Sequence, residues 1–204
     1  EAKAKITKEA WQGGETLSAA IGQSYNSFTP LQMAKYIATF VNGGKEVKPT
    51  IIKSIINSDL TEENKEEIRR YTNQKLGIVE EDNGEFSIKQ EYLSVILEGM
   101  RSVTNETGGT AYSIFKDFNI EVGGKTGSAQ AGKKDGKDVV HAWFMGFAPF
   151  DKPEIAVVVM IENGSHGSYS AEVVREIMEE YFGMNSTNVN ESTTAIPYVE
   201  QIRR

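Results

Sequence analysis

Residues 155–161 read Ile-Ala-Val-Val-Val-Met-Ile, an apolar run with no polar alternation. A strand with one wet face alternates in polarity, whereas a strand covered on both faces does not and normally sits mid-sheet. Extended patterning recurs in only two other places, Ile120–Gln130 and Val139–Ala148. Lys133–Gly136 and Pro149–Pro153 read as hairpin connections, so this run predicts the last strand of a three-strand meander. An uncovered apolar edge there is an aggregation hazard. The count therefore predicts a sheet with more strands than this chain supplies, the remainder coming from another part of the protein or from a companion chain.

The helical patterns lie on both sides of these strands. Thr29-Pro30 reads as an N-cap with proline at N1, and Gly43-Gly44 as the stop. Leu31, Met33, Ala34, Ile37, Ala38, Phe40 and Val41 make this helix apolar over most of its circumference, which predicts a central position. Isoleucines 51, 52, 55 and 56, a charged stretch from Thr61 to Arg70 and an Asp82-Asn83-Gly84 turn come next. The charged stretch reads as a solvated helix or excursion. Ser87–Gln90 fits a capping box, opening a helix with Tyr92, Leu93, Ile96, Met100 and Val103 inward. Ala111, Ile114, Phe115 and Phe118 mark a shorter helix. Ser170 reads as the cap of a last one, with Val173, Val174, Ile177, Met178 and Tyr181 inward and Gly183 as its end.

With 204 residues, a substantial core is within reach of one domain. Net charge −7 argues against a general nucleic-acid binder. The lack of cysteine removes disulfides, thiolate metal sites and a Cys nucleophile together, and His141 and His166 are the only histidines. No apolar run approaches the roughly 18 residues of a membrane span, and no signal peptide is evident.

The densest chemical signal is Val122–Ser128, Val-Gly-Gly-Lys-Thr-Gly-Ser. A phosphate loop is one reading, but Asn119 stands where its first glycine is needed and the next stretch is extended instead of helical. The better reading is the Lys-Thr-Gly strand element of serine penicillin-recognising enzymes. Lys125 presents a cation that favours a substrate carboxylate and eases proton movement among hydroxyls. Gly127, without a Cβ, lets an acyl substrate lie against the strand as an added antiparallel partner. Thr126 and Ser128 offer hydroxyls to that carboxylate, and the Ser128 backbone N–H can serve as an oxyanion donor.

The surrounding segments strengthen this reading. Gly14–Leu17, Ile21–Gln23, Phe28–Gln32, Asn42–Gly44, Glu98–Val103, Gly108–Ala111, Gly124–Gly127, His141–Pro149 and Glu162–Gly164 stand in an order that resembles the C-terminal half of the transpeptidase domain of class B penicillin-binding proteins. An elongation-type or sporulation relative looks closest. The likeness runs from about Trp11 to Gly183, so residues 1–183 are expected to be that part of the domain and 184–204 a frayed tail.

The resemblance implies an α+β fold, a partial β-lactamase/transpeptidase-like fold whose antiparallel sheet has three of about five strands in this chain, packed with helices. It implies that the intact protein is a serine D,D-transpeptidase. Such an enzyme acylates its serine with the penultimate D-alanine of a peptidoglycan stem peptide and passes the acyl group to a neighbouring amine; β-lactams imitate the D-Ala-D-Ala end. No cofactor or metal is implied. Implied partners are the stem peptide, β-lactams, the N-terminal half of the same domain (in cis or as a companion chain) and a glycosyltransferase. The implied location is the extracytoplasmic face of the bacterial membrane, with the anchor outside this chain. A serine β-lactamase, a D,D-carboxypeptidase and a non-catalytic cell-wall scaffold are the alternatives.

Two departures from the family matter. Its S-x-x-K serine and S-x-N motif lie upstream of the part matching Ile21, so the chain alone is expected to be inactive. Ser113–Lys116 has the first spacing but falls where the family has a packing helix, and Ser24–Asn26 mimics the second but comes after Ile-Gly-Gln. Both read as structural. His141 reads as a satisfied structural histidine, His166 as an exposed turn residue, and Trp11 as packing where the domain begins. The Asn105 and Asn163 sequons are empty in a bacterial family.

Overall fold

The computed structural model describes residues 2–47, 49, 70, 73–74 and 87–184. The expectations for Ile51–Ile56, for most of Thr61–Arg70, for the Asp82 turn and for the tail beyond Met184 lie outside the described residues. The elements are helices α1 (Ala2–Thr7), α2 (Gly13–Ala20), α3 (Pro30–Val41), α4 (Gln90–Asn105), α5 (Tyr112–Phe115) and α6 (Gly167–Tyr181). Strands β1 (Gly123–Lys134), β2 (Lys137–Ala148) and β3 (Ile155–Ile161) stand between α5 and α6. The expected α+β class is what the molecule has.

Sheet order is β1-β2-β3, antiparallel throughout. The β1–β2 turn is Asp135-Gly136, both at positive φ (51° and 76°), as a two-residue hairpin of right-handed twist requires. Both strands are longer at the turn than the patterning predicts, and β1 begins at Gly123 rather than Ile120.

β3 stands at the edge of the sheet, yet both of its faces are covered. Ala156 and Val158 pack with Ile37 and Phe40 of α3. Ile155, Val157 and Val159 pack with Ala171, Val174 and Met178 of α6. Two helices thus account for the missing alternation, and of β3 itself the outer rim alone stays unpaired among the described residues.

The sheet therefore separates two cores. On the α6 face, Phe144 is fully buried and stacks on Phe115 at 5.7 Å. On the α3 face, Phe147 and Met100 pack against Ile37 and Phe40. α4 serves both, through Met100 on one side and Val103 on the other.

Thr29 caps α3 as expected, in a reciprocal box with Gln32. α3 is not enclosed, however. It lies over one sheet face, and Leu31 and Tyr36 stay exposed along with Leu17, Ile21 and Phe28 nearby in sequence. The capping box at Ser87 does not form. The chain turns helical only after Lys89, whose carbonyl accepts from both Tyr92 and Leu93 N–H, so Ser87 lies too early to cap. The inward row of α4 is Leu93, Leu97, Met100 and Thr104, while Tyr92 and Ile96 are exposed. Ser170 is likewise no cap. α6 starts at Gly167, and the buried Ser170 hydroxyl donates to Ala142 O at 2.9 Å. Ala171, Val174 and Met178 face the core, whereas Val173, Ile177 and Tyr181 are exposed.

Candidate active site

The segment carrying Lys125 is held at its start by α4. The Val122 carbonyl accepts from the Thr104 hydroxyl and, at 2.8 Å, from the Asn105 amide. Asn105, the first sequon asparagine, is thus occupied structurally. One residue earlier, Glu121 meets Arg101 at 2.7 Å. The Arg101 hydrogen bond holds the Glu121 carboxyl below its ordinary range, and the same bond raises the guanidinium. Gly123 and Gly124 come next because a Cβ there would meet the Phe147 ring at 2.3 Å and the Phe144 ring at 2.4 Å. The bulky inward rows of β2 thereby dictate glycine on β1.

Alternation then divides the next residues between the two faces. Thr126 lies opposite Phe144 and Ser128 opposite Ala142, on the α6 face. Lys125 lies opposite Met145 and Gly127 opposite Trp143, on the other. Beside the first pair is a groove of about 280 Å³ lined by Thr110, Thr126, Gly127, Ser128, His166, Gly167 and Ser168. The Thr110 and Thr126 hydroxyls are 2.9 Å apart at one end of it.

The far wall of the groove exists because α6 rests directly on the strand backbone. A Cβ on Gly167 would lie 2.7 Å from Trp143 O and 2.8 Å from Gly127 O, so only glycine permits this approach. It brings His166 and Ser168 to the groove beside Thr126 and Ser128. Gly127 is itself close-packed, since a Cβ would sit 3.2 Å from Trp143 Cβ. Its missing side chain thus serves packing on β2 as well as access to the strand.

The free edge of β1 adds backbone groups. In a strand, the N–H and C=O of one residue point to the same side. Gln23 reaches Ser128 O at 3.1 Å from outside the sheet, so the Ser128 N–H also faces the open edge, and Thr126, two residues away, has the same orientation. Lys125 is exposed and donates from Nζ to Thr126 O at 2.5 Å. It is not among the residues lining the groove.

Of the residues singled out in the sequence, Thr126, Gly127 and Ser128 share the groove, with Lys125 on the adjoining face. Thr110, His166 and Ser168 were not among the expected site residues; His166 is exposed just before α6, as read, but also lines the groove. Thr110 belongs to the quoted Gly-Gly-Thr-Ala segment, but only the tertiary structure brings its hydroxyl to Thr126. The decoys stay apart from the groove. Ser113 is exposed on α5, and Asn26 ties back to Ala19 O at 2.9 Å. His141 accepts the Asn163 N–H on Nδ1 at 3.2 Å, a structural use. Trp11 is half exposed, its indole N–H donating to Thr16 at 2.9 Å. Among the described residues no group of three or more His, Asp or Glu is placed to hold a metal ion.

Known proteins share this fold. The family model described as "Penicillin binding protein transpeptidase domain" matches residues 1–179. Peptidoglycan D,D-transpeptidase MrdA of Haemophilus influenzae is 33% identical over 96% of this chain and 30% of its own length. The crystal structure of Pseudomonas aeruginosa PBP2 in complex with WCK 5153 superposes with a TM-score of 0.69 at 29% identity, covering 93% of this chain and 37% of that one. Helicobacter pylori PBP2, solved in complex with MreC, gives a TM-score of 0.66 at 26% identity over 90% of this chain and 30% of that one. The chain thus spans about a third of the length of the relatives it matches.

Proposed function

Given that the chain belongs to the penicillin-binding protein transpeptidase domain family, we propose that it forms one wall of a peptidoglycan D,D-transpeptidase site whose nucleophilic half lies outside it. The observation that carries this reading is the groove beside β1, where Thr110, Thr126 and Ser128 converge next to an open strand edge. Hydroxyls there suit a carboxylate, and the outward Ser128 N–H suits a developing oxyanion. Lys125, on the neighbouring face, would present its ammonium to the segment that completes the site. Residues 1–183 make up this part of the domain.

The chemistry is acyl transfer. A serine hydroxyl from the other half adds to the carbonyl of the penultimate D-alanine and gives its proton to a neighbouring base. The bond to the terminal D-alanine breaks and that residue leaves as the protonated amine. The amine of a second stem peptide then attacks the acyl-enzyme, forming the cross-link and restoring the serine hydroxyl. β-Lactams enter at the first step, their ring amide opening in place of the D-alanine bond.

No helix among the described residues is long and apolar enough to cross a membrane. The reading assigns the site to the extracytoplasmic face, with the anchor outside this chain, and includes a glycosyltransferase as a cell-wall partner. Incubation with a fluorescent penicillin, with and without the upstream half, tests the assignment. Labelling is expected only with both parts present, and only on the upstream part. Stable labelling of this chain alone would overturn it, as would full acylation of a Lys125→Ala variant of the intact protein.

A further inference from the structure

The Gln23 side chain occupies an unusual place for a residue 105 positions from its partner, with Nε2 bonded to Ser128 O at 3.1 Å on the free edge of β1. Its backbone is held firmly there. α2 ends in a Schellman motif, with Gly22 at φ 83°, Gly22 N–H on Ala19 O at 3.0 Å and Gln23 N–H on Ser18 O at 2.9 Å. The Asn26 amide ties the next loop to the same helix end. The helix terminus therefore fixes the point on the β1 edge from which the Gln23 side chain extends.

An acyl ligand added to this edge as an antiparallel strand forms two bonds with Ser128, accepting from its N–H and donating an amide N–H to its C=O. The Gln23 amide already fills the second position. We propose that Gln23 is a specificity-determining residue that stands in for the ligand's amide N–H on the Ser128 carbonyl and must be displaced when such a ligand binds. This rests on the reading of the β1 edge as the acyl-substrate site. It implies that a ligand with an amide N–H at this position competes with Gln23, while one without it leaves Gln23 in place.

The test uses the intact protein carrying this chain, with Gln23→Met (equal length, no donor) and Gln23→Glu (acceptor only). Pre-steady-state acylation separates pre-acylation affinity from the acylation rate for two penams, one with an acylamino side chain and one with hydrogen in its place. Both variants are expected to bind the acylamino penam about three- to tenfold more tightly, the size of one exposed hydrogen bond. Affinity for the unsubstituted penam and both acylation rates should stay within about twofold. Unchanged or weaker affinity for the acylamino penam, or an equal change for both penams, overturns the proposal. A Lys125→Ala control keeps the two readings apart. Loss of acylation in the control alongside unaltered Gln23 variants sinks only the Gln23 inference, whereas an unaffected control sinks the site assignment itself.

Discussion

Thr110 and Thr126 come from segments of different structure, a glycine turn after α4 and the first part of β1, yet their hydroxyl oxygens lie 2.9 Å apart. The pair forms one end of the groove that also contains Ser128, His166 and Ser168. Each hydroxyl orients the other, so the pair presents a preset donor to a carboxylate.

Removing one member should affect function more than folding. Thr110→Val keeps the shape and deletes the hydroxyl. Fluorescent-penicillin acylation of the intact protein is expected to slow about three- to tenfold, the loss of one net hydrogen bond. Its urea midpoint should stay close to the parent's, because Thr110 is not buried.

Gly167→Ala should be costly where an ordinary glycine replacement is not. The new methyl would lie within 3 Å of Trp143 O and of Gly127 O and N, all backbone atoms. Urea unfolding of the intact protein should show a loss of about 1–3 kcal/mol. Gly14→Ala on α2 has open space around its Cβ and should be neutral or gain up to about 1 kcal/mol.

Thr104 is fully buried, and its hydroxyl serves the Val122 carbonyl at the root of β1. Thr104→Val puts a methyl where the donor stood and leaves that carbonyl to Asn105 alone. A destabilisation of about 1–3 kcal/mol is expected by the same measurement. Thr104→Ser, which retains the hydroxyl, should recover most of it.

Glu121 supplies a pH dependence of known sign. Arg101 lowers its carboxyl pKa in the folded state, so this contribution to stability is complete above the ordinary carboxylate range of about 4.3 and is lost as pH falls through the lowered value. Arg101→Gln should therefore differ from the parent near neutral pH and converge with it in acid. The difference should be small and shrink with salt, since both side chains are partly exposed. A gap that widens in acid would contradict the assignment.

Much of the fold could be read from pattern because strand and helix periods differ and because caps leave local signatures. β3, the Thr29-Pro30 start of α3 and the Gly183 stop of α6 depend on neighbours in sequence. The Ser87 and Ser170 caps failed for a reason beyond that range. A serine is a cap only if the helix starts beside it; α4 starts after Ser87, beyond Lys89, and α6 starts before Ser170, where Gly167 seats it on the sheet. The inward row of α4 likewise differs from the pattern at Tyr92 and Ile96, since the position of β1 decides which of several apolar rows is buried.

The Lys125-Thr126-Gly127-Ser128 element and the ordered segments around it were fully present in the amino-acid string, because strand alternation and a missing Cβ are properties of consecutive residues. What only the tertiary structure decided is the company these residues keep. Thr110 at the end of the groove, His166 and Ser168 across it, and Gln23 on the Ser128 carbonyl are brought there by long-range packing. No local pattern encodes such distances, which arise from how two helices and a turn settle on one strand.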